Sequence, residues 1–126
     1  MGSFLVKQVS TGIKFDLLAA NGEVIATSEV YNTAAACRKG IQSVITNAPK
    51  AKIEDQTASD SRLTNPKFEL YQDKAGAFRF RLRSRNGVII AVSEGYNSKS
   101  NCLHGIESVK NNVIFAEITE IFQNKY

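Results

Sequence analysis

Tryptophan is absent from this chain, and histidine, methionine, cysteine and proline are nearly so: one His, one Met, two Cys and two Pro in 126 residues. Each scarcity closes off a class of function. With His104 as the lone imidazole there is no histidine cluster, and no general base that recurs along the chain. Cys37 and Cys102 with His104 supply too few ligands for zinc. Cys102 and His104 stand two apart in a helical stretch, on different faces, which does not make a nucleophile–base pair. No Gly-rich phosphate loop follows a strand, and no apolar run approaches the roughly 18 residues of a membrane span. MGSFLVKQVS lacks the parts of a signal peptide, and Val6 stands where a myristoylation motif has Ser or Thr. These absences predict a cytoplasmic protein without catalytic residues, metal, cofactor or membrane contact.

What is present is a duplication. From Phe15 onward the chain matches itself at a constant offset of 65: Phe15/Phe80, Leu17/Leu82, Asn21/Asn86, Gly22/Gly87, Ser28/Ser93, Glu29/Glu94, Tyr31/Tyr96, Cys37/Cys102, Gly40/Gly105 and Asn47/Asn112. The reading is a first repeat at 1–56, a polar, turn-rich linker at 57–66 and a second repeat at 67–126, together one globular domain. Charge is shared unevenly. Residues 1–56 hold six Lys/Arg against five Asp/Glu; residues 67–126 hold nine against six.

Within each repeat, two alternating stretches flank Asn-Gly. That pair predicts a two-residue type I′ hairpin with positive φ at both residues. Counting outward, Phe80, Leu82 and Ser84 oppose Ser93, Ala91 and Ile89 on one face. Arg79, Arg81, Arg83 and Arg85 oppose Glu94, Val92, Ile90 and Val88 on the other. The first repeat gives Phe15/Ser28, Leu17/Ala26 and Ala19/Val24 inward, with Lys14/Glu29, Asp16/Thr27 and Leu18/Ile25 outward. The Phe/Leu/Ala face is the expected core.

Ser-Glu-x-Tyr-Asn then leads to Thr33 or Ser98, good helix N-caps. Cys37, Ile41, Val44 and Ile45, and likewise Cys102, Leu103, Ile106 and Val109, recur at helical spacing. The cysteines read as small buried hydrophobes. Gly40 and Gly105 lie mid-helix, where glycine costs about 1 kcal/mol relative to alanine, so each marks a close approach. Asn47 and Asn112 fit the helix ends. A short strand follows each helix, which makes the unit β-β-β-α-β. The repeated Asn21, Gly22, Ser28, Glu29 and Tyr31, with Asn86, Gly87, Ser93, Glu94 and Tyr96, are read as structural.

The phrase Asn86-Gly87-x-Ile89-Ile90-Ala91-x-Ser93-Glu94-Gly95-Tyr96-Asn97-Ser98-Lys99, followed by Gly105-Ile106-Glu107-Ser108-Val109-Lys110-x-Asn112, resembles the YegP-like family of small bacterial proteins. The first repeat departs from it at Val30 and Ala34. The resemblance implies an α+β fold: tandem β-β-β-α-β repeats forming one shared antiparallel sheet packed against two helices, with last strands exchanged between repeats. It implies unknown function and brings no catalytic residues.

Two functions remain open. The first is a protein-interaction or self-association module using Arg79, Arg81, Arg83, Arg85, Val88, Ile90 and Val92, since apolar surface ringed by guanidinium groups suits a partner protein or a second copy. The alternative is nucleic-acid binding. Alternate arginines stand roughly 7 Å apart and can track phosphates, but Phe78 and Phe80 have core parity, so the face lacks the aromatic platform of sheet-based RNA binders.

Overall fold

The computed structural model describes residues 2–121. Eight strands and two helices follow the repeat. β1 (Ser3–Val9), β2 (Gly12–Leu18), β3 (Val24–Thr27), α1 (Ala34–Asn47) and β4 (Lys52–Asp55) come first; β5 (Lys67–Gln72), β6 (Phe78–Arg83), β7 (Ile89–Val92), α2 (Lys99–Asn112) and β8 (Glu117–Ile121) follow. A 3-10 turn, Ala48–Lys50, extends the end of α1.

The strands form one sheet in the order β4-β5-β6-β7-β3-β2-β1-β8. The repeats meet at an antiparallel seam where Thr27 of β3 faces Val92 of β7. β4 then pairs with β5 and β8 with β1, each in parallel. The sheet is therefore mixed, not antiparallel throughout. The reason lies at the seam: because β3 and β7 run opposite ways, the repeats are turned about a local two-fold axis. Each helix crosses that seam, α1 packing on β2 and β7 and α2 on β6 and β3, and delivers its last strand beside the other repeat's first strand in the same direction.

Alternation sends Phe4, Val6, Phe15, Leu17, Phe68, Leu70, Phe80 and Leu82 to one face, where each is at most 1% exposed. They share a core with Cys37, Ile41 and Val44 of α1 and Cys102, Ile106 and Val109 of α2. Burial pushes the Cys102 thiol up to about 11, as expected of an inert hydrophobe.

The hairpins differ from expectation. Gly22 and Gly87 hold φ of +87° and +84°, but neither asparagine before them has positive φ. Gly87 N–H bonds the Ser84 carbonyl and Ser84 N–H bonds the Val88 carbonyl, and Ala19, Gly22 and Glu23 repeat the pattern. Three residues thus form each loop, with the left-handed position given to glycine, where it is cheapest. The extra residue is absorbed by a bulge. Leu82 faces Ala91 and Arg81 faces Val92 as expected, but Arg83 faces Ile89; Leu18 likewise faces Val24. Ile90 and Ile25 are the residues passed over.

Candidate functional site

The repeated phrase can be followed atom by atom, and it builds the unit twice. Ser28 Oγ accepts from Phe15 N–H at 2.9 Å and donates to the Glu29 carbonyl at 2.7 Å. Ser93 does the same with Phe80 and Glu94, at 2.9 and 2.8 Å. Three residues on, Tyr31 exchanges backbone bonds with Ile13, and Tyr96 with Phe78. The tyrosine rings stack on Phe15 and Phe80 at centroid distances of 6.5 and 6.4 Å. Their hydroxyls lie against Gly40 and Gly105, where a Cβ would overlap them. That contact explains the mid-helix glycines. Thr33 and Ser98 cap the helices by accepting from Ala36 and Asn101 N–H. Asn47 and Asn112 close them from within the last turn, donating back to the Ser43 and Ser108 carbonyls at 2.8 Å. The carboxylates of Glu29 and Glu94 are exposed and take no part in these bonds.

The opposite face of the sheet carries no helix among the described residues, and it is where the two repeats differ. In the second repeat Glu69, 4% exposed, sits at the centre of a charge cluster. Its carboxylate meets Arg81 Nε at 2.5 Å, Arg83 Nε at 2.9 Å and Lys67 Nζ at 3.3 Å. Lys67 also donates to Glu54 at 2.8 Å, and Glu54 accepts from Gln56 and from Leu63 N–H in the linker. Burial raises the Glu54 carboxyl, but Gln56, Lys67 and Leu63 outweigh it and bring it to about 2. Glu69 is held low in the same way: burial opposes ionisation, and Arg81, Arg83 and Lys67 overcome it. On β1 and β2 of the first repeat the buried acid is Asp16, bonded to Lys7 at 2.7 Å and to the Thr27 hydroxyl at 2.7 Å, with Lys14 at 3.4 Å.

The expected arginine ladder is thereby corrected. Arg79, Arg81 and Arg83 do share the face, but each is engaged. Arg79 bonds Asp73 at 2.7 Å, not Glu94, because β7 ends at Val92 and Glu94 lies beyond it. The Arg81 guanidinium lies 4.4 Å above the Tyr71 ring. Arg83 also donates to the Gly87 carbonyl. Arg85 is off the strand altogether, in the three-residue loop, with its N–H on Asn47 of α1. Ile90, placed outside opposite Arg83, is instead the unpaired bulge residue, 5% exposed and part of the buried core. Val88 stays exposed at 55%, and Val92 is half-buried.

A groove of about 450 Å³ runs along this face over the β3–β7 seam. Val24, Ile25 and Val92 give it apolar walls, and Lys14, Arg79 and Glu94 stand at its sides. Lys14 and Arg79 are the same position in the two repeats, as are Thr27 and Val92, so the groove draws equivalent positions from both copies. Sequence reasoning placed Arg79 and Val92 on this face but missed Glu69, Glu54 and Lys67. Alternation of Phe68-Glu69-Leu70-Tyr71 could have found Glu69, had the β5–β6 register been set against Arg81. The bond from Leu63 to Glu54 left no sequence signal. Among the described residues, no group of three or more His, Cys, Asp or Glu is placed to hold a metal, and no helix is long and apolar enough to cross a membrane.

Known proteins show the same architecture. The family model described as a domain of unknown function, DUF1508, matches twice, at residues 10–55 and 73–120. The UPF0339 protein YegP of Yersinia pestis is 32% identical over 122 residues, 96% of each chain. A UPF0339 protein of Treponema denticola is 54% identical over 55 residues, which is 44% of this chain and 95% of the relative, so that relative is about one repeat long. The solution NMR structure of yegP from E. coli superposes with a TM-score of 0.81 at 30% identity, covering 98% of this chain and 96% of that one. With its repeat matched twice and its whole length shared with YegP, the chain belongs to the DUF1508 family, whose function is unknown.

Proposed function

We propose that this chain is a non-catalytic binding module that takes a protein partner on its helix-free sheet face, at the groove over the β3–β7 seam. The observation that supports this most is the groove itself: apolar walls of Val24, Ile25 and Val92, on a face that neither α1 nor α2 covers. An aliphatic side chain of a partner fits such a site. The nucleic-acid reading loses ground. Glu69 and Asp73 already engage Arg79, Arg81 and Arg83, and Arg81 occupies the face of Tyr71 that a base would stack on.

The test compares the wild-type chain with Val92→Asp and with Lys14→Glu/Arg79→Glu. Immobilised protein is exposed to lysate, and an RNA oligonucleotide is titrated in parallel at two salt concentrations. The reading expects a protein captured by the wild type and lost with Val92→Asp, while RNA binds neither. A desolvated apolar anchor should matter more than a flanking charge, so the charge variant weakens capture less. Steeply salt-dependent RNA binding that survives Val92→Asp would sink the proposal and revive its alternative.

A further inference from the structure

The two ends of the sheet are equivalent by the repeat but not in exposure. At the β4 end the linker folds back: Leu63 N–H bonds Glu54, and Ala58, Ser59 and Ser61 share a concavity with Ile53. At the β8 end all five strand residues are exposed. Ile118, the repeat equivalent of the half-buried Ile53, is 41% exposed. Ile121 is 55% exposed, Ile114 52% and Phe115 87%. Four of the seven exposed large hydrophobics among the described residues are thus gathered at one sheet end. Phe115 also holds φ of +57°, a left-handed conformation that a bulky residue adopts only at a cost. The first repeat has Lys50 there. Among the described residues β8 pairs with β1 alone, so its outer edge offers backbone groups that none of them takes, as strand-adding interfaces do.

Charge selects the occupant. Of the two carboxylates in residues 113–121, Glu120 is already held by Arg38 of α1 at 2.6 Å, and Glu117 has no ion pair among the described residues, on a chain whose net charge is +4. A second β8 would bring another Glu117 and no counter-charge within residues 113–121. We propose that β8 is a docking edge for an extended segment of another protein in which apolar residues alternate with Lys or Arg. The backbone extends the sheet, the apolar side chains cover Ile118 and Phe115, and a cation meets Glu117.

The proposal is tested by titrating the isotope-labelled full chain with the peptide acetyl-Thr-Lys-Val-Lys-Val-Lys-Thr-amide, and with its counterpart carrying Glu for Lys, while following backbone amides. The expected result is saturable shifts confined to residues 3–7 and 114–121, with the Glu peptide about tenfold weaker. Glu117→Lys should reverse that preference, and Phe115→Ser should weaken both peptides; both sites are exposed, so the fold survives. Equal binding of the two peptides, shifts at Lys14 and Val92 instead, or no shifts at all would each overturn it. So would a β8-linked homodimer in sedimentation that Phe115→Ser dissolves, because the occupant would then be a second copy.

Discussion

The two repeats are nearly superimposable on the face that meets the helices and unlike on the face that does not. Inside, the Phe4–Phe15 and Phe68–Phe80 pairs stand edge to face at 5.6 and 5.8 Å, both at 76°. Outside, Glu69 faces Arg81 in the second repeat where Leu5 faces Asp16 in the first, so the buried acid has changed strands. Core positions must fit a common packing and tolerate little change. A helix-free face constrains only charge balance, and each repeat reaches that balance by different residues. What the copies share is architecture; where they differ is the place to look for function.

The largest break in the comparison is expected in acid. Glu54 is at about 2 in the folded chain against an ordinary value near 4.5, so the unfolded chain binds more protons between those values. Its contribution, about 3 kcal/mol, is in place above about pH 4.5 and is lost as pH falls toward 2. The repeat equivalent is Thr119, which does not titrate. Hydrogen exchange at pH 3 should therefore show the β4 end losing protection before the β8 end, and Glu54→Gln should flatten the pH dependence. Equal loss at both ends would contradict this account of the linker contact.

Next come the helix glycines. Gly40→Ala and Gly105→Ala each force a Cβ into a tyrosine hydroxyl, and overpacking exceeds the gain in helix propensity. Each should cost about 2 kcal/mol in urea unfolding, equally in the two repeats. The outer faces should respond unequally. Glu69→Gln takes the carboxylate from the partly buried Arg81 and Arg83, while Lys67 keeps Glu54, and is expected to cost about 2 kcal/mol after allowance for solvent. Asp16→Asn keeps its Thr27 bond and faces a more exposed Lys7, so about 1 kcal/mol is expected. The smallest effects belong to the loops. Gly87→Ala should cost about 1 kcal/mol for its positive φ, and Asn86→Ala close to nothing, since Asn86 is not left-handed.

Much of this was legible before any coordinates. Periodicity placed both helices and their caps, because Thr33, Ser98 and the stripes behind them report purely local physics. The outer register from Arg83 onward was not legible, since Asn-Gly serves a three-residue loop as well as a two-residue one, and one bulge left Ile90 unpaired and buried and put Arg85 off the strand. The parallel outer strands and the charge cluster depend on contacts between β4, β5 and the linker, and no local pattern encodes those partners.

The claim that the repeated phrase is architecture is tested most directly by one matched measurement, the equilibrium unfolding of Ser28→Ala beside Ser93→Ala. Each serine accepts a buried backbone N–H and donates to the next carbonyl. Each substitution leaves the Phe15 or Phe80 N–H without that partner, at about 1–2 kcal/mol. The account predicts the same loss in both repeats. A loss in one repeat only, or in neither, would contradict it.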